Sequence, residues 1–419
     1  MRVAIIHWSD ELVGGQEVYV AAAAKGLASS GHELLFWHET SSQGDQRRIG
    51  LPANCDRVSA AGDVGTALAA LAEWRPDVLF VNSLLDAEIG KRLLKVAPAV
   101  FFAHTYYGTC ISGTKTHSWP GPPVACTRIF GRACLALYFP RRCGGRNPLT
   151  LLRHYRDQSR RLDLLSQYKC ILTASEHMRR EYLHHGLGEA VVRTVHYPVP
   201  APSQRSETVR VPDYQPNHLL FLGRMDGTKG GEMLLAALPL IRSRLGRPVR
   251  LTMAGDGPER ASWASAAADV TRDHPDVRIE FPGWLDSDAR LDAVDKADLL
   301  VVPSLWPEPF GLVGPETGHR GLPAVAFAIG GIPEWLTDGV NGKLAPSDPP
   351  TPDGLADAAA HCLSDPLRYA QLREGARKLA LRFAPETHAQ ALEQVLREVA
   401  DAEPARSPSL GAVVPGQEA

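Results

Sequence analysis

The 419-residue sequence lacks an apolar run of the roughly 18 residues that a membrane-spanning helix needs. Neither sign of charge predominates, because the chain has 45 Lys and Arg and 47 Asp and Glu. Nothing in the net charge therefore favours a nucleic-acid partner. There is no G-x-G-x-x-G fingerprint, which leaves nicotinamide or flavin binding without support. The apolar start, Val3–Ile6, is too short for a signal peptide. We therefore expect a cytoplasmic protein that binds no nucleic acid.

Apolar runs typical of buried strands alternate with helical patterns along most of the chain. One series comprises Val3–Ile6, Leu34–Trp37, Val78–Val81, Val100–Ala103 and Cys170–Thr173. A second comprises Leu219–Leu222, Leu251–Ala254, Val277–Phe281, Leu299–Val302 and Ala324–Ala328. Such alternation predicts parallel sheets covered by helices on both faces. We predict an α/β fold of two doubly wound, Rossmann-like domains that face each other across a deep cleft.

Composition also suggests where the domains end. Prolines and polar residues at 198–204 predict a linker between an amino-terminal domain, 1–197, and a carboxy-terminal domain, 205–384. A helix over 385–403 follows, which could cross back to the amino-terminal domain. The proline-rich segment 404–419 has little apolar content, which predicts a disordered tail.

Two carboxylates eight positions apart, Glu308 and Glu316, are the most informative feature. They flank a loop with glycine and proline after the strand Leu299–Val302, and a helix is expected to begin at Glu316. Backbone N–H groups at such a helix start lack partners and can bind an anion, while carboxylates accept hydrogen bonds from sugar hydroxyls. The stretch predicts a pocket for a phosphate attached to a sugar. The alternative is two surface charges.

Three glycine-bearing loops follow other predicted strands. Gly223–Gly231 carries Arg224 and Lys229, two cations that could hold a diphosphate from two sides, although a solvated basic turn is the alternative. Gly14–Glu17 follows the first strand of the chain, where paired glycines let the backbone approach a ligand. Gly255–Pro258 follows the strand Leu251–Ala254; both glycine pairs are also compatible with ordinary turns.

In this order, the loops resemble those of the GT4-type retaining glycosyltransferases of group 1, which have the GT-B fold. Three downstream segments strengthen the resemblance: Gly321–Val325, Gly330–Glu334 and Asp338–Gly342. It covers residues 1 to about 400. It implies transfer of a hexosyl group from a nucleoside-diphosphate sugar to an acceptor hydroxyl, by front-face displacement without a metal or other cofactor. A UDP-sugar is the first choice of donor and a GDP-sugar the second.

The resemblance also implies roles for single residues. Arg224 and Lys229 would neutralise the departing diphosphate, and Glu308 would accept hydrogen bonds from donor-sugar hydroxyls. Glu316 would hold the ribose hydroxyls, and His104 would lie near the transferred sugar. The implied catalytic residues are Glu308, His104, Arg224 and Lys229; the implied donor-binding residues are Gly15, Arg224, Lys229, Gly255, Trp284, Glu308, Phe310, Gly311, Leu312 and Glu316.

An insert at 106–148 departs from the family pattern and holds four of the seven cysteines, namely Cys110, Cys126, Cys134 and Cys143. They form no C-x-x-C pair, so reduced packing cysteines are favoured over a metal or iron–sulfur site. Because the insert lies beside His104, we predict that it recognises the acceptor, which could be a glycan, a lipid-linked sugar or a small molecule. The residues chosen for this role are Tyr106, Tyr107, Lys115, His117 and Trp119.

A basic segment, Arg141–Arg161, holds seven arginines and one acidic residue. A helix in this segment could have an apolar face, formed by Leu149, Leu151, Leu152 and Tyr155. The segment could contact an anionic membrane, at the inner face, or a polyprenyl phosphate; the alternative is a solvated helix face. Two other classes of function stay open, a sugar-nucleotide epimerase of the GT-B fold and a catalytically inactive protein that binds nucleotide sugars.

Overall fold

The computed structural model describes residues 1–41, 48–118, 121–200 and 217–402, and its backbone forms two parallel sheets. The first contains β1 (Arg2–Ser9), β2 (Glu33–Thr40), β3 (Cys55–Ser59), β4 (Val78–Val81), β5 (Ala99–Ala103), β8 (Cys170–Thr173) and β9 (Val192–Thr194). Its strand order is β3-β2-β1-β4-β5-β8-β9. A short antiparallel hairpin, β6 (Thr116–His117) and β7 (Val124–Ala125), lies in the insert.

The second sheet contains β10 (Asn217–Leu222), β11 (Val249–Ala254), β12 (Val277–Gly283), β13 (Leu299–Val302), β14 (Ala324–Phe327) and β15 (Gly342–Ala345). Its strand order is β12-β11-β10-β13-β14-β15, and all its pairs are parallel. The central strands of both sheets are buried over their full length, because helices cover both faces. The predicted α/β, doubly wound fold is thereby confirmed.

Helices connect most successive strands. In the first half they are α1 (Gly15–Ser29), α2 (Val64–Trp74), α3 (Ala87–Leu93), α4 (Ala133–Leu137), α5 (Pro148–Leu165) and α6 (Glu176–His184). In the second half they are α7 (Gly231–Leu245), α8 (Arg260–Asp273), α9 (Ser287–Lys296), α10 (Val313–Gly318), α11 (Pro352–Leu363), α12 (Pro366–Ala380) and α13 (Pro385–Asp401).

Each sheet has one place where the direction of strand order reverses. In the first sheet this switch point lies between β1 and β4, and in the second between β10 and β13. At such a point the loops leaving the carboxyl ends of two neighbouring strands run to opposite faces and leave a crevice. The segments that follow β1, β10 and β13 include Gly15, Lys229 and Glu308, so both switch points carry residues singled out in the sequence.

The final helix, α13, contacts α1, β4 and β5 of the first half. Its His388 Nδ1 lies 2.7 Å from the carbonyl oxygen of His196, and its Nε2 lies 3.3 Å from the Tyr19 hydroxyl. Val199, at the start of the predicted linker, is fully buried and donates its N–H to the Phe383 carbonyl at 2.7 Å. Residues 201–204 of that linker and the predicted tail, 404–419, lie outside the described residues.

Candidate active site

Two loops meet at the switch point of the second sheet. Gly230, which ends the loop after β10, has a φ of +70°, and a Cβ there would lie 1.9 Å from the carbonyl oxygen of Pro303. The contact continues in a hydrogen bond of 2.8 Å from the Leu305 N–H to the Thr228 carbonyl. Only glycine allows this separation, because a side chain would collide with the backbone that follows β13. The contact holds the two loops together.

Their contact brings Lys229 and Glu308 into an ion pair, with Nζ and Oε1 2.6 Å apart. The Ser304 hydroxyl donates to the same carboxylate oxygen, and Lys229 Nζ lies 5.1 Å from the centre of the Trp306 ring. The Glu308 side chain is 9% exposed and that of Lys229 is 25% exposed. Two residues that lie 79 positions apart in sequence thus present opposite charges at one point beside the crevice.

Backbone donors lie next to this pair. Helix α10 begins at Val313, so Glu316 lies in its first turn and the predicted start at Glu316 is three residues too late. Tight packing of Gly314 against the Trp335 ring accompanies this earlier start. Among the described residues, the N–H groups of Phe310, Gly311 and Leu312 donate to no protein acceptor. Three consecutive free donors beside a lysine suit an anionic or hydroxyl-rich ligand.

Other predicted donor residues surround the crevice without joining the ion pair. Arg224 is exposed, and its Nε lies 3.9 Å from Asp226 Oδ2. Trp284, the residue after β12, is 80% exposed, so its ring is accessible to a ligand. Gly255 follows β11, and its N–H donates to the Gly283 carbonyl at 2.8 Å, which ties the loops after β11 and β12 together.

Glu316 forms an ion pair with Arg290 of α9. Sequence reasoning missed this arginine, because it lies in a largely exposed helix among ordinary surface charges. The two side chains are 30% and 40% exposed, so the pair lies at the surface of the crevice. A ligand with two neighbouring hydroxyls could donate hydrogen bonds to the Glu316 carboxylate, whose position Arg290 fixes.

His104 follows β5, as predicted, but it is a buried ring with 7% exposure. Its Nε2 lies 3.1 Å from Asn82 Oδ1 and its Nδ1 lies 2.7 Å from the Tyr197 hydroxyl. Since Asn82 Oδ1 only accepts, Nε2 donates and Nδ1 accepts from Tyr197. Burial, and then the neighbouring His7 and His388, hold the pKa of His104 well below its usual range. The histidine is therefore neutral and both its ring nitrogens bond to protein groups.

Gly15 is exposed as the first residue of α1, at the switch point of the first sheet. The preceding Gly14 donates its N–H to Glu17 Oε2 at 2.7 Å, and Glu17 Oε1 lies 3.7 Å from His7 Nε2. Both His7 and Glu17 are buried, and burial lowers the pKa of His7. A Cβ on Gly15 would meet no atom within 4 Å. Gly15 thus borders open space, while the contacts of Gly14 with Glu17 and of Glu17 with His7 hold the backbone beside it.

The insert carries fewer accessible recognition groups than the sequence suggested. Tyr106, Tyr107 and Lys115 are buried, and Lys115 forms an ion pair with Glu181 of α6 while donating to the Arg128 carbonyl at 2.6 Å. Because all three side chains are buried against other parts of the protein, they offer an acceptor little accessible surface. His117 is half-buried, and Trp119 lies outside the described residues.

The cysteines of the insert behave as packing residues. Among the residues that the structure describes, no three His, Cys, Asp or Glu side chains are placed to hold a metal ion. Cys134 and Cys143 pack against a small cluster of Ile111, Phe130, Tyr138 and Leu151, and Cys110 Sγ accepts the Lys115 N–H at 3.3 Å. Burial raises the pKa of Cys143 to about 11, which keeps its thiol protonated. The metal alternative for Cys110, Cys126, Cys134 and Cys143 has no support in this geometry.

Helix α5 contains the basic segment's second half. Leu151 is buried, whereas Leu149 and Leu152 are 75% and 57% exposed, so the predicted apolar face is split between the core and the surface. Leu152 lines an open groove of about 350 Å³ with Arg153, Arg156, Asp157 and Arg160. Arg161 points elsewhere: its guanidinium lies over the Tyr107 ring and donates to the Leu85 carbonyl at 3.2 Å. In the described part of the chain, no helix is both long and apolar enough to cross a membrane.

Comparison with known proteins relates the chain to glycosyltransferases. A family model described as Glycosyltransferase Family 4 matches residues 13–201, and one described as Glycosyl transferases group 1 matches residues 216–365. The chain belongs to the family 4, group 1 glycosyltransferases. The first match covers the strands of the first sheet from β2 to β9, and the second covers all six strands of the second sheet.

Curated relatives are similar over part of their length. A glycogen synthase of Mycobacterium tuberculosis is 37% identical over 189 residues, which cover 44% of each chain. A D-inositol 3-phosphate glycosyltransferase of Xylanimonas cellulosilytica is 34% identical over 198 residues, covering 45% of this chain and 44% of the relative. The match thus spans less than half the length of these relatives.

Solved structures match over nearly the whole chain and show the fold. Anabaena HepE, crystallised with UDP and glucose, has a TM-score of 0.66 at 18% identity and covers 95% of this chain and 100% of its own. Sucrose-phosphate synthase of Thermosynechococcus elongatus has a TM-score of 0.67 at 20% identity, covering 95% of this chain and 98% of its own. The predicted GT-B fold is confirmed.

Proposed function

We propose that the protein transfers a hexosyl group from a nucleoside-diphosphate sugar to an acceptor hydroxyl with retention of configuration. The observation that carries this proposal is the Lys229–Glu308 ion pair, 2.6 Å long, beside the free N–H groups of Phe310, Gly311 and Leu312. A cation, three amides and a carboxylate match the phosphates and hydroxyls of such a donor. Family membership supports the same reaction class.

In the proposed mechanism the donor separates the ion pair. Lys229 turns to the diphosphate, and Glu308 is left to accept hydrogen bonds from the sugar hydroxyls. As the glycosidic bond breaks, negative charge grows on the diphosphate, which Lys229 and Arg224 stabilise. The acceptor hydroxyl attacks from the face of the leaving group, and the diphosphate oxygen takes its proton. Glu308 acts on the hydroxyls and does not form a covalent intermediate.

Glu316 and Gly15 complete the proposed donor site from opposite sides. Glu316, fixed by Arg290, accepts hydrogen bonds from the ribose hydroxyls. Trp284 lines the pocket of the nucleobase. Gly15 leaves room for the diphosphate when the first half approaches. His104, buried and neutral, supports the wall of the sugar pocket through Asn82 and Tyr197. UDP is our first choice of nucleotide, and HepE, a structural neighbour, was solved with UDP and glucose.

The acceptor side is proposed more broadly, as a glycan, lipid-linked sugar or small molecule. One observation favours an anionic surface partner: exposed Leu149 and Leu152 lie on α5, and Leu152 shares a groove with three arginines and a single acidic residue, Asp157. Apolar side chains next to arginines suit an anionic membrane, where both groups gain contacts at the interface.

A panel of UDP, GDP, ADP, CMP and dTDP in thermal unfolding tests the donor class. Ligand at a hundred times its dissociation constant stabilises the native state by about 2.7 kcal/mol. We expect one diphosphate to raise the unfolding midpoint of the wild type and not that of Arg224→Ala. Incubation of the matching sugar nucleotide with and without acceptors then separates the activities. Product from donor alone would indicate an epimerase, and binding without any product would indicate an inactive binding protein.

A further inference from the structure

The segment that carries Glu308 is held through its backbone. Four consecutive carbonyl oxygens, those of residues 307–310, each accept a hydrogen bond from a group outside the segment. The donors are the Tyr106 hydroxyl to Pro307 (2.6 Å), the Gly331 N–H to Glu308 (2.7 Å), the Ser175 hydroxyl to Pro309 (2.6 Å) and Trp335 Nε1 to Phe310 (2.7 Å). We call this segment the donor loop. Its carbonyls face protein, while its neighbouring amides stay free.

Two of the four donors belong to the first half of the chain. Tyr106 is fully buried two residues after His104, and Ser175 is fully buried at the start of α6. Their hydroxyls bond to the carbonyls on either side of Glu308, across sequence separations of 201 and 134 residues. The loop contains two prolines and no strand or helix, so it has few hydrogen bonds of its own. Its conformation therefore depends on these outside donors.

Neighbouring groups orient both hydroxyls. The Tyr106 oxygen also lies 2.8 Å from His177 Nε2; its single proton goes to the Pro307 carbonyl, so His177 must donate. Burial lowers the pKa of His177 to about 4, which keeps the ring neutral. The Ser175 oxygen accepts the Met178 N–H at 3.1 Å as the cap of α6, which leaves its proton for Pro309.

A contact in the reverse direction joins the same two regions. Glu334 of the second half accepts the N–H groups of Glu176 and His177, at 2.9 and 3.4 Å. A carboxylate at the start of α6 is favoured by the helix dipole and by the unpaired amides there. Side-chain hydroxyls of the first half thus donate hydrogen bonds to the donor loop. In the opposite direction, a carboxylate of the second half accepts hydrogen bonds from the start of α6.

We propose that Tyr106 and Ser175 are positioning residues that hold the donor loop, and with it Glu308 and the free amides, in the geometry needed for transfer. The inference rests on the proposed function for its catalytic part. Donor-site geometry is then built partly by the half of the chain that binds the acceptor, because both hydroxyls come from that half. Neither residue contacts the substrates in this account.

Tyr106→Phe has a closely matched control in Tyr369→Phe. The Tyr369 hydroxyl is also buried, donates to a backbone carbonyl (Asp298, 2.9 Å) and receives a side-chain N–H, from Arg373 at 3.2 Å. Asp298 precedes β13, at the opposite end of the strand from the donor loop. Both variants lose a hydrogen bond from a buried hydroxyl to a backbone carbonyl, and we expect similar losses of stability. Only Tyr106→Phe releases the donor loop.

Ser175→Ala has a second control in Thr351→Ala. Thr351 caps α11 by accepting the Gly354 N–H at 3.1 Å, just as Ser175 caps α6. Both substitutions remove a cap, and only Ser175→Ala removes a donor to the loop. Ser175→Thr keeps a hydroxyl for both tasks, so it should restore the behaviour of the wild type.

Hydrogen exchange of the Gly331 amide, which donates to the Glu308 carbonyl, reports on the loop without any substrate. We expect Tyr106→Phe and Ser175→Ala each to raise this exchange rate about tenfold, the size of effect for an unpaired buried acceptor, and the two controls to leave it within about twofold. In both variants, the kcat for release of UDP from UDP-glucose should also fall about tenfold. This fall should be larger than any loss of affinity for UDP.

Equal exchange and equal kcat in each variant and its control would overturn the proposal, as would failure of Ser175→Thr to recover. If the wild type neither binds a nucleoside diphosphate nor releases UDP, the proposed function fails instead. The exchange comparison then still decides whether Tyr106 and Ser175 hold the loop.

Discussion

Replacing Gly230 by alanine should damage both stability and the donor site. Gly230 precedes α7 with φ +70°, and Gly246 follows the same helix with φ +62°. A Cβ on Gly230 would lie 1.9 Å from the Pro303 carbonyl, whereas one on Gly246 would meet nothing within 4 Å. Gly246→Ala therefore isolates the backbone strain, and Gly230→Ala adds a collision with the loop that leads to Glu308.

Left-handed backbone strain costs an alanine about 1 kcal/mol, and forced overpacking adds about 1 to 3 kcal/mol. We expect urea unfolding to give a loss of about 1 kcal/mol for Gly246→Ala and about 3 kcal/mol for Gly230→Ala. Because the loops must separate, Lys229 and the free amides after Glu308 should no longer face one ligand together, so Gly230→Ala should also weaken UDP binding about tenfold or more, while Gly246→Ala should not. Equal losses of stability, or unchanged UDP binding in Gly230→Ala, would refute the reasoning.

Three further predictions follow from the geometry. Gly15→Ala should leave the unfolding midpoint unchanged, since its Cβ meets no atom, but should lower kcat if the diphosphate approaches Gly15; unchanged kcat would remove this residue from the donor site. Because His177 has a pKa of about 4 when folded and 6.5 when unfolded, only the unfolded state gains a proton as pH falls through 6.5. Wild type should lose about 2 kcal/mol more stability than His177→Gln between pH 7 and pH 5, measured by urea unfolding at each pH, and parallel profiles would contradict this. Leu149→Glu with Leu152→Glu should abolish flotation with anionic liposomes at low salt without lowering the unfolding midpoint; if the wild type itself does not float, the membrane proposal ends.

The sequence predicted the central strands and the order of loops, because strands buried on both faces are continuous apolar runs. It missed the hairpin strands β6 and β7, and it missed β3, β9 and β15, which are edge strands of the two large sheets. Cys55–Ser59 has one buried residue in five, and Val192–Thr194 and Gly342–Ala345 are short. These three strands are too exposed or too short to form an apolar run, whereas the edge strand β12 was found through its apolar residues.

The chemistry of the site was predictable in part. Lys229 and Glu308 were found through their glycine-bearing loops, and the structure brings them together. Arg290 was missed because a charge in a largely exposed helix carries no local signal. The burial of Tyr106 and Lys115 was also invisible, since it depends on Pro307 and Glu181, which are distant in sequence.

Titration of nucleoside diphosphates into three proteins tests the central claim that the Lys229–Glu308 pair marks the donor site. The proteins are the wild type, Lys229→Met and Lys343→Met. Lys343 is a matched control, because its Nζ forms an ion pair with Asp338 that is also 2.6 Å long and lies apart from the donor loop. We predict that the wild type binds one diphosphate, that Lys229→Met binds it about tenfold or more weakly and that Lys343→Met binds it as the wild type does. Binding of no diphosphate by the wild type, or equal affinities in all three proteins, would contradict the account.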